Sequence, residues 1–127
     1  MIKIYTDGSC LSNGAGGWAI CIIEDDNSTY CMSGSASETT NNRMELQAVI
    51  EAVSCISEKS ECVIYTDSMI TMNCAMGKWK RKANLDLWKE YDKESKNKRI
   101  NFEHVKAHNG DYYNEKVDKL AKESANI

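Results

Sequence analysis

The tetrapeptide Ile-Tyr-Thr-Asp occurs twice in this chain, at Ile4–Asp7 and at Ile64–Asp67. Each copy ends on a carboxylate followed by a small residue, Gly8 or Ser68. If the two copies end neighbouring parallel strands, the aspartates emerge side by side, about 4.8 Å apart by strand spacing. Two bare carboxylates at that separation repel by about 3 kcal/mol at an effective dielectric near 20. The pair therefore needs a cation or a shared proton. Two divalent ions about 3.5–4 Å apart, bridged by carboxylates, are suited to phosphodiester cleavage. The competing explanation is that each aspartate only caps the segment after it.

A third acidic residue stands out by its setting. Ala48, Val49, Ala52, Val53 and Ile56 recur at helical spacing and predict a helix over Asn42–Ser57 with one apolar stripe. Projected back one turn, the stripe begins at Glu45. A carboxylate there either serves chemistry or closes a capping box, with Asn42 as N-cap and Glu45 three residues on.

The elements that position these residues follow from pattern. Ile2–Thr6 and Trp18–Ile23 read as strands joined by a glycine-rich loop over Gly8–Gly17, with a shorter strand at Thr29–Ser33. Glu61–Thr66 reads as a buried strand, and Ser68–Met76 and Leu85–Ser95 as helices. Ile100–Val105 alternates as a strand, with His104 a packed strand residue. A helix over Asn114–Ser124 presents Val117, Leu120 and Ala121. Strands first, then strands alternating with helices, indicate an α/β domain with a mixed sheet.

Bulk properties set the context. The 127 residues suffice for one domain over 1–127, and 42% hydrophobic with 28% charged residues describes an ordinary globular protein. No apolar run has membrane-spanning length, and the first residues lack a secretory layout, which points to the cytoplasm and to no membrane partner. The six cysteines contain no C-x-x-C pair, so zinc is not expected, and in a reducing compartment they are expected as thiols, mostly small core residues with Cys10 the exception. The net charge of −3 hides a division. Lys78 to Lys106 holds ten Lys or Arg against five Asp or Glu, and the remainder six against fourteen. Such a split suits a protein that grips phosphates at one place and metal at another, or a solvated basic helix face.

Taken together, Thr6-Asp7-Gly8-Ser9-Cys10, Thr40-Asn41-Asn42-Arg43-Met44-Glu45-Leu46, Tyr65-Thr66-Asp67-Ser68, His108 and Asn114-Glu115-Lys116-Val117-Asp118-Lys119-Leu120-Ala121 resemble type 1 ribonuclease H, in the family's order and nearly end to end. The resemblance implies a ribonuclease H-like fold, a five-stranded mixed sheet flanked by helices. It implies an endonuclease that hydrolyses the RNA strand of RNA–DNA hybrids and leaves 5′-phosphate and 3′-hydroxyl ends. Asp7, Glu45, Asp67 and Asp118 would hold two Mg²⁺ ions, with Mn²⁺ able to substitute. His108 resembles the mobile-loop histidine that assists proton transfer or product release. Ser9, Cys10, Asn13 and Met69 would face the RNA strand, and Asn41 and Asn42 the minor groove. Thr40 and Asn84 match residues that pocket a DNA phosphate, and Trp79 stands near the aromatic that lines the DNA channel. The expected partner is a hybrid, met by a monomer.

Three departures qualify the match. The family's basic protrusion is cut to Gly77-Lys78-Trp79-Lys80-Arg81-Lys82, Glu38 replaces a common Arg beside the phosphate pocket, and Ile70 replaces an aromatic. Modest affinity with intact chemistry is the expectation. The rival functions are a non-catalytic hybrid-binding module and a reverse-transcriptase-derived nuclease domain of the same fold.

Overall fold

The computed structural model describes residues 1–106 and 110–126. Five strands, β1 (Ile2–Cys10), β2 (Gly16–Ile23), β3 (Thr29–Ala36), β4 (Glu61–Thr66) and β5 (Arg99–His104), form one sheet in the order β3-β2-β1-β4-β5. β1 and β2 are antiparallel, as are β2 and β3, whereas β4 runs parallel to both β1 and β5. The helices are α1 (Asn41–Ser54), α2 (Met69–Ala75), α3 (Leu85–Ser95) and α4 (Tyr112–Ala125). Among the described residues no helix is long and apolar enough to cross a membrane.

Alternation along the strands splits the core into two layers. Ile4, Ile20, Ile22 and Ile64 pack against Val49, Ile50 and Val53 of α1, backed by Leu87, Trp88 and Tyr91 of α3. Ala19 and Cys21 face the other way, against Val117 and Ala121 of α4. The two Ile-Tyr-Thr-Asp copies lie in register, Ile4 beside Ile64 and Tyr5 beside Tyr65, and the tyrosine rings stack at 4.5 Å. The repeat in sequence is thus a repeat in space.

Several elements differ from their expected extents. β1 runs on to Cys10 and β2 starts at Gly16, leaving only residues 11–15 as the connection. The glycines there serve close packing more than looping. A Cβ on Gly8 would stand 2.3 Å from the Glu45 backbone nitrogen, and one on Gly17 2.2 Å from the Ala121 carbonyl oxygen. Only Gly14, at φ +90°, supplies the turn itself. β3 extends to Ala36, and α1 ends at Ser54, where Cys55 tightens back onto the Ala52 carbonyl.

The expectation of six thiols is overturned. Cys21 and Cys31 are directly opposed on β2 and β3 with Cα atoms 4.1 Å apart, and form a disulfide. Cys62 and Cys74 are buried free thiols, Cys10 is half-buried and Cys55 is exposed.

Candidate functional site

The parallel pair β1–β4 delivers two carboxylates to the same end of the sheet. Asp7 lies within β1 and is 3% exposed, so it caps nothing. Asp67 follows the last residue of β4, and Ser68 takes the N-cap position of α2 by accepting the Thr71 N–H. Neither aspartate therefore has a capping role. On α1 the N-cap is Thr40, whose hydroxyl accepts the Arg43 N–H, and not Asn42. Glu45 sits five residues past that cap, too far along for a capping box.

What Glu45 does instead is meet Asp7. The absence of a side chain on Gly8 lets α1 lie directly on β1. The Gly8 N–H then donates to Asp7 Oδ1 at 2.9 Å and also to Glu45 Oε1. Ligand oxygens of Asp7, Glu45 and Asp67 all fall within 4.8 Å of one another. Asp118 projects from α4 beside Asp7, yet it stands outside that convergence, with Oδ2 3.1 Å from Lys122 Nζ one turn on.

The electrostatics follow from this crowding. Burial pushes the Asp7 carboxyl up to about 7, the Glu45 and Gly8 hydrogen bonds oppose the rise, and the Asp67 charge adds to it. Burial likewise pushes Glu45 well up, reinforced by Asp7 and then Asp67. Asp7 Oδ2 is buried without a hydrogen-bond partner. A buried, unpartnered carboxylate oxygen among other acids costs free energy unless a cation or proton meets it. The donor set is all carboxylate oxygen, which fits a hard divalent ion.

Of the residues expected at the substrate, Ser9 and Cys10 end β1. The Cys10 thiol is aimed at the Leu11 and Thr39 carbonyls, tying two loops together. Asn13 is exposed and its Oδ1 accepts the Ala15 N–H. Asn41 and Asn42 are exposed on the first turn of α1, and Met69 is exposed at the start of α2. His108 lies outside the described residues.

A groove of about 600 Å³ opens between α1, α2 and the segment before α3, lined by Asn42, Ile70, Lys78, Trp79, Lys80, Lys82 and Asn84. Trp79 is 47% exposed there. Asn84 occupies the N-cap position of α3 at φ 57° without capping it, and its Oδ1 accepts from Arg43 Nη1 at 3.3 Å. Arg43 also forms a two-pronged pair with Asp86.

Arg81 departs from its expected place in the basic grip. Its guanidinium stacks over Trp88 at 4.3 Å, donates to the Cys74 carbonyl and makes two bonds to Asp92. That is a structural assignment, consistent with the preference of arginine for planar and stacked partners. His104 is likewise not packed. β5 is an edge strand, and the exposed imidazole reaches the Asp67 backbone carbonyl.

Four contacts at the site were not read from the sequence. The Lys122–Asp118 pair had a signal, since the two are four apart on one helix. The Gly8 amide bridge, the Arg43–Asn84 bond and the His104 contact join residues distant in the chain, and no local pattern marks them.

Comparison with known proteins agrees along the whole chain. The family model described as RNase H matches residues 1–126. Ribonuclease H of Campylobacter jejuni strain 81-176 is 44% identical, the alignment covering 98% of this chain and 90% of that protein. The N-terminal RNase H domain from Mycobacterium tuberculosis, solved as a fusion with maltose-binding protein, superposes with a TM-score of 0.85 at 24% identity over 98% of this chain and 93% of that one. LC11-RNase H1, solved in complex with an RNA/DNA hybrid, gives 0.84 at 23% identity over 99% and 97%. Those two likenesses bear on the fold, and the sequence matches bear on the family. This chain belongs to the RNase H family of endoribonucleases.

Proposed function

We propose that the chain hydrolyses the RNA strand of RNA–DNA hybrids, with Asp7, Glu45, Asp67 and Asp118 holding two Mg²⁺ ions, and leaves 5′-phosphate and 3′-hydroxyl ends. The observation that carries this is the convergence of three carboxylates around a buried oxygen that has no partner. When bound, divalent ions supply an activated water and compensate charge on the phosphate. The chain's own part is positioning. Gly8 fixes the Asp7 and Glu45 carboxylates relative to each other through one amide, so neither must reorganise during the reaction. Asp118 would exchange its Lys122 partner for the site. His108 would move a proton or speed product departure.

Substrate choice is assigned to the surface beside the acids. Ser9, Cys10, Asn13 and Met69 would face the RNA, where the 2′-hydroxyl distinguishes it from DNA. Asn41 and Asn42 would touch the minor groove, and Thr40 with Asn84 would hold a DNA phosphate, Asn84 being oriented by Arg43. Lys78, Lys80 and Lys82 form no ion pair among the described residues, which leaves them available to phosphates, with Trp79 against a deoxyribose. The enzyme would act as a cytoplasmic monomer.

The test is a gel assay with labelled hybrid, RNA duplex and DNA duplex, each with Mg²⁺ and with EDTA, the product ends mapped by phosphatase and ligase. Cleavage confined to the RNA of the hybrid, dependent on Mg²⁺, is the expected result. Retarded but uncut hybrid would instead identify a binding module, and cleavage of DNA duplex would overturn the substrate assignment.

A further inference from the structure

His104 is one of two histidines in the chain and the last residue of β5. Its Nε2 lies 3.3 Å from the backbone oxygen of Asp67. A carbonyl only accepts, so this ring nitrogen carries the proton and donates. The place of that carbonyl gives the contact its interest. The Thr66 carbonyl accepts the Val105 N–H at 2.9 Å, just past the end of the β4–β5 pairing. Ser68 is pinned on the other side, its N–H to Thr66 Oγ1 at 3.1 Å and its hydroxyl on Thr71 of α2. Between these anchors the Asp67 carbonyl has His104 as its one hydrogen-bond partner among the described residues.

Asp67 needs such a tether. Its carboxylate is held toward Asp7 and Glu45, both acids, so when these ionise without a cation like-charge repulsion pushes the residue outward. Turning the peptide between Asp67 and Ser68 would swing that carboxylate away. The imidazole nitrogen is engaged with the Asp67 backbone carbonyl, while the ligand atoms that converge belong to Asp7, Glu45 and Asp67. We infer that His104 is a positioning residue. By donating to the Asp67 carbonyl, it keeps the Asp67 carboxylate facing its two neighbours and so sets the affinity of the acidic site for divalent cations.

The inference rests on the proposed metal-binding role of Asp67, and the test separates the two. His104→Phe keeps the ring and removes the donor, while His104→Gln returns a donor at similar reach. Mn²⁺ binding is read from the electron paramagnetic resonance of the free ion, and turnover is followed against Mg²⁺ concentration. In His104→Phe the half-saturating metal concentration should rise about fivefold, the effect of one ordinary hydrogen bond. The Michaelis constant for hybrid at saturating Mg²⁺ should stay unchanged, and the melting temperature in EDTA should fall by no more than a few degrees. His104→Gln should recover wild-type metal affinity to within about twofold. Wild-type Mn²⁺ affinity in His104→Phe, or His104→Gln as impaired as His104→Phe, overturns the inference. Asp67→Asn is the control. If it lowers Mn²⁺ affinity and His104→Phe does not, positioning alone fails; if Asp67→Asn binds Mn²⁺ like wild type, the metal role of Asp67 fails with it.

Discussion

The acidic end of the sheet and the basic segment before α3 are both dense in charge, and they are built in opposite ways. At the acidic end the three convergent carboxylates are carried by regular elements: Asp7 and Asp67 by parallel strands in register, Glu45 by a helix that rests on Gly8. In the basic segment a single residue, Arg81, is fixed by stacking and ion pairing, while Lys78, Lys80, Lys82 and Trp79 stand in solvent around a groove. Position matters where bonds are to be broken, and a loose set of cations is enough where phosphates are only to be held. Charge density alone does not separate these roles. Arg81 lies inside the densest positive cluster and works as a structural clamp.

The difference can be broken first at the acidic end. Asp7→Asn or Asp67→Asn should lower turnover about a thousandfold or more, because each removes a charge from the metal site without changing shape. Hybrid binding should persist or improve. Steady-state kinetics with a filter-binding assay checks this, and activity within about tenfold of wild type would sink the assignment.

Two glycines sharpen the contrast. Gly8→Ala drives a Cβ into the backbone of α1, 2.3 Å from both Glu45 N and Met44 C, so α1 must shift and Glu45 with it. The expected cost is about 3 kcal/mol of stability and most of the activity. Gly77 has φ +78° but no atom within 4 Å of a Cβ, so Gly77→Ala should cost only about 1–2 kcal/mol from the left-handed backbone. Urea unfolding of both variants measures the gap; equal costs would mean that α1 does not rest on β1 at Gly8.

Within the basic segment the clamp and the grip should come apart. Arg81→Ala should destabilise by about 2 kcal/mol, lowering the melting temperature by about 8 °C with little change in the Michaelis constant. Replacing Lys78, Lys80 and Lys82 with Ala should do the reverse, raising the Michaelis constant several-fold and flattening its dependence on salt while leaving stability alone. A salt slope equal to wild type in the lysine variant would return those residues to mere solubility.

A smaller effect concerns pH. Asp7, pushed up to about 7, and Glu45, also pushed up, hold protons more tightly in the folded chain than in the unfolded one. Without metal, their contribution to stability is therefore most favourable below about pH 4 and is lost as pH rises toward 7. In EDTA the melting temperature should fall by a few degrees from pH 5.5 to pH 8, and Asp7→Asn should shrink that fall. A fall of the same size in Asp7→Asn would place its origin elsewhere.

How much of this was legible in the sequence depended on range. The duplicated tetrapeptide tied the meeting of Asp7 with Asp67 to a condition, that its two copies end neighbouring parallel strands, and β1 and β4 meet that condition in register. The α1 stripe marked Glu45 correctly as out of place, although the N-cap proved to be Thr40. The Cys21–Cys31 bridge carries no spacing motif, and a reducing compartment argues against it. The two cysteines flank the β2–β3 turn as directly opposed partners, and pairing them on strands would have exposed the contact. Arg81 and His104 were misplaced for a different reason. Each meets partners from separate elements, Trp88 and Asp92 of α3 in one case and Asp67 beyond β4 in the other, and such contacts exist only once the elements dock.

The central claim is that the carboxylate cluster holds divalent ions, and thermal unfolding tests it directly. Mg²⁺ binds only the folded arrangement and relieves its internal repulsion, so at pH 8 it should raise the melting temperature of the wild-type protein by several degrees. The Asp7→Asn/Asp67→Asn double variant should show no such rise. An equal rise in both proteins would mean that the ions bind elsewhere, and the account of the site would be contradicted.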